Sequence, residues 1–389
     1  MFKLILLLNP IYVTLFWSLV LNTNKKQGNV PKLFLGRFMT VTFLLYLSHF
    51  FYYLPLPEIY HYVDPFYHLL NLLVYPMYYI YIKLLTVDDR FEIKKHSIYL
   101  ALPLLIFILY GMGTLLMTKE EHIDYLYRQL YINGPLSGIF LYQKTIYLLC
   151  RVVFILQGIV YMWLSYRLVV KHKKQILNYY ANIEDDSLDK IHILNITLSI
   201  TIIVGISLSV LGKESFMSDE KALILPSAIF SIMLFWIGWL GNKQRALLIN
   251  DTVLDAPMDC PQVTDDIEPT TVQLAIVREK IIKLFEEKKI YLNKDLTIWV
   301  VARIIGTNRT YISSIINNDF KQNFSCFVNS YRVKHAQAIK NQNPNIHKEE
   351  LAERSGFGSV SSMHRAFTQF KLATTHHGTR GTCDTEYRK

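Results

Sequence analysis

Seven runs of apolar residues, each long enough for one membrane crossing, lie before residue 242 of the chain. About 20 helical residues are needed to cross roughly 30 Å of hydrocarbon, and a helix satisfies its own backbone hydrogen bonds there. The composition agrees, since 51% of the 389 residues are hydrophobic and only 19% are charged. We therefore predict an all-α protein in which residues 1–245 form a seven-span transmembrane bundle in a lipid bilayer. The predicted spans are residues 4–21, 33–53, 66–86, 97–117, 145–169, 191–211 and 222–241.

Lysine and arginine gather in alternate loops between these spans. Cytoplasmic loops carry an excess of the two residues, so their distribution predicts orientation. The loops after the odd-numbered spans are rich in them, whereas the loops between, such as the short loop 54–64, are poor. The residues in the rich loops are Lys25, Lys26, Lys32, Arg90, Lys94, Lys95, Lys171, Lys173, Lys174, Lys243 and Arg245. This pattern predicts an external N-terminus and a cytoplasmic C-terminal region, as in a multi-pass protein of the bacterial inner membrane.

An acidic, proline-containing stretch follows the last span. Residues 246–271 contain six acidic residues, three prolines and no basic residue. Such a composition cannot bury a core, so we predict a flexible linker here and a separate domain over residues 272–389.

Two segments with the same internal spacing lie about fifty residues apart in that domain. Ala302 and Gly306 are four residues apart in LTIWVVARIIGTNRTYISSIIN, and Ala352 and Gly356 repeat the spacing in EELAERSGFGSVSSMHRAF. A small residue lets two helices approach closely, and a glycine permits a tight turn between them. The spacing predicts two helix-turn-helix units, joined by a helix with the apolar pattern FSCFVNSYRVKHAQAIK.

Each predicted unit presents short polar and basic side chains on its second helix. From Ile290 to the end there are 14 Lys+Arg against 7 Asp+Glu, an excess of positive charge that favours a polyanion as partner. Such faces suit helices that enter the grooves of double-stranded DNA. The predicted DNA-binding residues are Asn308, Arg309, Thr310, Ser313, Ser314 and Asn317 in the first unit, and Ser359, Ser361, Ser362, His364 and Arg365 in the second.

The domain resembles the AraC/XylS-type DNA-binding domain. The resemblance rests on the ARIIG and YIS motifs of the first unit, on the F-x-x-F-V-N-x-Y-R-V-x-x-A segment from Phe324 to Ala336, and on LAERSGFGSVSS with the following R-A-F up to Phe367. It covers roughly the last hundred residues. It implies a membrane-anchored transcription regulator that binds promoter DNA in response to an external signal, with a second copy of the chain and RNA polymerase as further partners.

The chain departs from the family pattern in its closing segment, at Met363, where an aromatic residue is common, and at Lys321. The closing Gly-x-Thr-Pro segment of the family is replaced by KLATTHHGTRGTCDTEYRK, which lacks the proline that begins a last helix. We therefore predict that residues 372–385 are atypical or disordered. Lys321 stands where a glycine is frequent.

Four polar side chains within the predicted spans are candidates for binding a signal. Ionisable residues in a span are costly and are therefore candidates for function. Arg151 lies in the fifth span, and His49, His68 and Asn71 lie in the second and third. The alternative is that Arg151 extends to the lipid headgroups and that the histidines are satisfied by headgroups or water.

No paired catalytic residues or phosphate-binding loop occur in the sequence. We predict no catalytic residue, no metal site and no cofactor. The competing interpretation is an integral-membrane enzyme or transporter whose basic tail docks onto another protein.

Overall fold

The computed structural model describes residues 2–23, 30–54, 56–88, 90–131, 134–181, 185–211, 224–243 and 271–375. These residues form helices, and the only extended pairing among them is an isolated antiparallel bridge between Tyr180 and Thr297. The predicted linker 246–271 lies outside the described residues except for Thr271. Residues 376–389, including most of the atypical terminal segment, also lie outside them.

The first nine helices contain the seven predicted apolar runs. In chain order they are α1 (Phe2–Thr23), α2 (Val30–Tyr53), α3 (Pro57–Thr86), α4 (Ile93–His96), α5 (Ile98–Leu115), α6 (Lys119–Tyr127), α7 (Gly138–Tyr179), α8 (Asp185–Leu211) and α9 (Ile224–Lys243). Seven of these helices, all except α4 and α6, are long and apolar enough to cross a membrane. For the residues that the structure describes, the prediction of an all-helical fold with seven long apolar helices is confirmed.

Two of these helices extend beyond their predicted ends. The prediction of a loop over residues 54–64 is wrong, because α3 begins at Pro57. Proline fits the first position of a helix, and the acidic Glu58 fits the positive end of the helix dipole. The loop predicted at Lys171 to Lys174 is also wrong. Those residues belong to α7, whose 42 residues give a length of about 63 Å, roughly twice the hydrocarbon thickness.

The chain folds as two compact units. We call Met1–Val170 with Asp189–Leu248 the apolar unit, and Lys171–Leu188 with Ile249–Lys389 the basic unit. The predicted domain boundary near residue 245 therefore misses one segment, because residues 171–188, at the end of α7 and beyond it, belong to the basic unit.

In the apolar unit α3 lies at the centre of the core. Its C-terminal half contributes Tyr78, Ile80, Ile82 and Leu84, all nearly inaccessible to solvent, to a cluster with α1, α2, α8 and α9. Its middle packs with α5, α7 and α8 in a second cluster that contains Tyr75. This central helix carries two of the predicted signal-binding residues.

The described part of the basic unit consists of six α-helices and a 3₁₀ turn, together with the segment that begins at Lys171. They are α10 (Thr271–Glu286), the 3₁₀ turn Ile290–Leu292, α11 (Ile298–Ile305), α12 (Arg309–Asn318), α13 (Phe324–Gln342), α14 (Lys348–Arg354) and α15 (Val360–Thr375). We call α11 with α12 the first helix pair and α14 with α15 the second. The helix α15 continues to Thr375, so the first four residues of the segment 372–385 are helical.

The two helix pairs turn in the same way. Gly306 (φ 76°) and Gly356 (φ 77°) both adopt the left-handed conformation that glycine favours. The residue after each glycine donates its N–H to the alanine carbonyl five positions back, Thr307 to Ala302 at 3.0 Å and Phe357 to Ala352 at 2.9 Å. Each glycine N–H also bonds the carbonyl three positions back. Both first helices therefore end in the same Schellman motif, as their common spacing requires.

The long helix α13 belongs to the cores of both pairs. Its N-terminal half places Phe324, Phe327 and Val328 in a cluster with α10, α11 and α12. Its C-terminal half places Val333 and Ala336 in a second cluster with α14 and α15. With 19 residues it is about 28 Å long, and it connects the two pairs as one continuous element.

The two turn glycines differ in the space around them. Replacing each of them by alanine therefore gives two variants whose stabilities can be compared. A Cβ at Gly306 would meet nothing within 4 Å, whereas a Cβ at Gly356 would lie 2.6 Å from the Tyr291 carbonyl oxygen and 2.7 Å from the Leu292 Cα. We expect Gly306→Ala to destabilise the basic unit by about 1 to 2 kcal/mol, the cost of the left-handed conformation alone. Gly356→Ala should cost about 3 to 5 kcal/mol, because the backbone must also shift.

Hydrogen exchange of the full chain in detergent measures both effects through the protection of α11 to α15. Equal loss of protection in the two variants would contradict the close approach of Gly356 to the turn Ile290–Leu292.

Candidate functional site

The predicted DNA-binding residues of the first pair lie on α12 and at its start. Asn308 is the N-cap, and its side-chain oxygen accepts a hydrogen bond from the Thr310 N–H at 3.0 Å. Thr310 and Asn317 are exposed, and the Asn317 amide donates to the Ser313 hydroxyl at 3.1 Å. Ser314 is half-buried and accepts from the Asn318 amide. The buried face of α12 is formed by Ile312, Ile315 and Ile316.

Arg309 is half-buried and lies beside two aromatic rings. Its guanidinium carbon lies 5.4 Å from the ring centroid of Tyr179 and 5.4 Å from that of Trp299. The two rings also contact each other, with their centroids 5.0 Å apart. Trp299 belongs to α11, but Tyr179 is the last residue of α7. The one arginine of the first predicted DNA-binding set therefore contacts a segment more than a hundred residues away in sequence.

The residues after Tyr179 hold this segment to the first helix pair through the backbone. Tyr180 forms the isolated bridge with Thr297, and the Ala181 N–H donates to the Leu296 carbonyl at 3.1 Å. The Ser325 hydroxyl donates to the Ala181 carbonyl at 3.3 Å, and Ala181 is 1% exposed. We call Tyr179–Ala181 the docking segment. It could not be recognised from the sequence, because the polar and basic character of its surroundings is also typical of an ordinary loop.

The second pair presents its predicted residues on α15. Ser359 and Ser362 cap the helix reciprocally, since the Ser362 N–H donates to the Ser359 hydroxyl at 3.1 Å and the Ser359 N–H donates to the Ser362 hydroxyl at 3.2 Å. Their hydroxyls are thus used in the helix start. Ser361, His364 and Arg365 are exposed on the same helix.

A buried arginine joins α13 to the 3₁₀ turn and to the second pair. Arg332 of α13 is 0% exposed, donates through Nε to the Tyr291 carbonyl at 2.7 Å and through Nη2 to the Asn293 carbonyl at 2.8 Å. Its guanidinium also lies 5.8 Å from the ring centroid of Phe357 in the second pair. Burial lowers the pKa of Arg332 to about 10, so the group is still charged at neutral pH. Its position makes it a structural residue rather than a DNA contact.

In the apolar unit, one cavity brings together all four polar residues predicted to bind a signal. Its volume is about 240 Å³, and its lining includes His49 of α2, His68 and Asn71 of α3, and Arg151 of α7. Most of the remaining lining is apolar, with Leu6, Phe38, Leu45, Leu198 and Leu234 among its residues. The sequence alone could not place α2, α3 and α7 around a common space.

Arg151 is oriented by the end of α8. Its Nη2 donates to the Ser209 carbonyl and approaches the Val210 carbonyl at 3.4 Å, and both residues belong to the last turn of α8. Its guanidinium lies 6.0 Å from the ring centroid of Tyr147. Within the described part of the chain, no carboxylate forms an ion pair with Arg151. The cavity therefore contains a cation that is held by neutral oxygen atoms.

A buried carboxylate near the start of α3 was not predicted. Asp64 is 1% exposed and accepts hydrogen bonds from the hydroxyls of Tyr60 at 3.0 Å and Tyr110 at 2.6 Å. His122 lies 3.4 Å from one carboxylate oxygen, and His68 lies 3.8 Å from the other. Asp64 falls at the end of the loop predicted over residues 54–64, where an exposed aspartate needs no explanation. The described residues contain no group of three side chains suited to hold a metal ion.

A scan against protein-family models found no match, and searches of the curated proteins and of the solved structures found none either. The resemblance to the AraC/XylS-type domain therefore stays a prediction that rests on the residues of this chain.

Proposed function

We propose that the protein is a membrane-anchored transcription regulator whose basic unit binds promoter DNA in a sequence-specific way. The proposal places the seven apolar helices in the bacterial inner membrane, with the N-terminus outside and the basic unit in the cytoplasm. It includes helix-turn-helix units of the AraC/XylS type, and it allows a second copy of the chain and RNA polymerase as further partners.

The main support for this proposal is that the same turn, with a left-handed glycine, occurs in both helix pairs. Two helix pairs with the same left-handed glycine and the same hydrogen bonds lie at the two halves of α13. Each pair carries polar and basic side chains on its second helix, as a helix entering the major groove requires. A tail used only to dock onto a protein has no need of such a repeat.

The docking segment supplies a route by which the state of α7 can affect DNA binding. In this proposal Arg309 reaches a base edge after its guanidinium leaves the rings of Tyr179 and Trp299, against which it lies. Since Tyr179 ends a continuous helix that begins at Gly138, a rotation or shift of α7 changes the position of one of those rings. In this proposal the docking segment withholds Arg309 from DNA until a signal releases it.

Sequence-specific binding is tested with the full chain in nanodiscs. Duplexes are first selected from a random pool, and their affinity is then compared with that of scrambled duplexes over a salt series. We expect at least about a thousandfold preference for the selected duplex. Arg365→Ala should cost about 1 to 3 kcal/mol if the side chain contacts a base, or lower the salt slope by about one if it contacts a phosphate.

Arg354→Ala is the matched control, because Arg354 is exposed and pairs with Glu350 on α14, outside the predicted DNA-binding residues. Its affinity should stay close to that of the wild type. Equal affinity of the wild type for selected and scrambled duplexes would favour the integral-membrane enzyme or transporter with a docking tail.

The role of the docking segment is tested by Tyr179→Ala. Removing one of the two rings weakens the hold on Arg309, so we expect the affinity for the selected duplex to rise about two- to fivefold. The control is Tyr166→Ala, an exposed tyrosine on the same helix. Fluorescence anisotropy with a labelled duplex measures both. A lower affinity of Tyr179→Ala would mean that Tyr179 arranges Arg309 for DNA instead of withholding it.

A further inference from the structure

We propose that the cavity of the apolar unit binds a single-chain amphiphile with an anionic head group, of the fatty-acid class. This inference rests on the proposed function in one respect, namely that the bound amphiphile is the signal to which the regulator responds. The binding itself follows from the cavity alone.

The head group is inferred from Arg151. Arg151 is half-buried, and an anionic partner stabilises a guanidinium that is partly removed from water in an apolar unit. Arg151 lines the cavity and is bonded to the carbonyls of Ser209 and Val210, which carry only partial charge. Those carbonyls accept hydrogen bonds from part of the planar guanidinium of Arg151, and a carboxylate in the cavity could accept hydrogen bonds from its remaining N–H groups. A cationic ligand is disfavoured at the same place.

The tail is inferred from the rest of the lining. Leu198, Ile202, Gly205 and Ser209 of α8 all line the cavity, so its wall follows that helix over 12 residues, about 16 Å from the first to the last. Leu6, Phe38 and Leu234 extend the apolar lining onto α1, α2 and α9. An elongated apolar wall with a cation at one end of the α8 stretch matches a molecule that has one charged end and one hydrocarbon chain.

The size of the cavity favours a ligand with a single hydrocarbon chain. About 240 Å³ is small for a phospholipid with two acyl chains and a large head group. His49 and Asn71 add polar atoms to the lining beyond the arginine. These atoms would favour an oxygenated head group over a simple hydrocarbon.

The test measures saturable binding of radiolabelled dodecanoate to the full chain in nanodiscs of zwitterionic phosphatidylcholine, with empty nanodiscs subtracted. Unlabelled dodecanoate and dodecyl phosphate should displace the label, whereas dodecanol and dodecyltrimethylammonium should be at least about tenfold weaker, because they lack the charge-assisted bond to Arg151. Octanoate should bind more weakly than dodecanoate, because it buries less apolar surface.

Two variants locate the site, and each has a separate role. Arg151→Gln should lose about tenfold to a hundredfold in affinity, whereas Arg167→Gln should bind as the wild type. Arg167 is the matched control, because it is an exposed arginine on the same helix whose guanidinium lies over the Trp163 ring. Thr42→Leu reduces the cavity without changing its charge, since Thr42 lines it and bonds only its own helix at the Phe38 carbonyl. It should also bind dodecanoate more weakly, and it keeps the test valid if Arg151→Gln does not fold.

Three results would overturn the inference. They are the absence of saturable binding, equal displacement by dodecanol and dodecanoate, and unchanged binding in both Arg151→Gln and Thr42→Leu. Loss of dodecanoate binding in nanodiscs that contain anionic phosphatidylglycerol would assign the cavity to a lipid head group, and would likewise overturn the single-chain ligand. Because no DNA is present, failure of DNA binding leaves this result intact, and failure here leaves the DNA experiment intact.

Discussion

The packing of the basic unit depends on the 3₁₀ turn Ile290–Leu292. Its Tyr291 carbonyl accepts a hydrogen bond from the buried Arg332, and the same carbonyl lies where a side chain on Gly356 would collide. The ring of Tyr291 also packs in the core of the first pair. One short turn therefore fixes α13 against both helix pairs, and the removal of Arg332 would take away the donor that the Tyr291 carbonyl accepts from.

The sequence predicted the parts of this architecture that depend on local pattern. Seven apolar runs require helices, and the Ala-x-x-x-Gly spacing requires a tight turn after each first helix, since only glycine adopts the left-handed conformation easily. Lys321, where a glycine is frequent in the family, shows the limit of such reasoning, because it adopts φ 54° despite its side chain.

The parts that the sequence did not predict all depend on contacts between distant residues. Lys171 to Lys174 fit a cytoplasmic loop by composition, and nothing in their order indicates that α7 continues to Tyr179. The pairing of Ala181 with Leu296 joins residues 115 positions apart in the chain. The four polar residues of the spans were singled out by their cost in an apolar helix, but their meeting in one cavity depends on packing. The periodicity of apolar residues in the sequence gives no information about contacts between distant residues.

We propose that one chain places two recognition helices, α12 and α15, in successive major grooves. Because α13 is continuous and about 28 Å long, the two helices should read elements about one helical turn, roughly 34 Å, apart. Hydroxyl-radical footprinting of the full chain on a selected duplex, at concentrations where a single copy is bound, measures this directly. We expect two short protected elements on one face of the duplex with that spacing. A single protected element, or protection that does not depend on sequence, would contradict it.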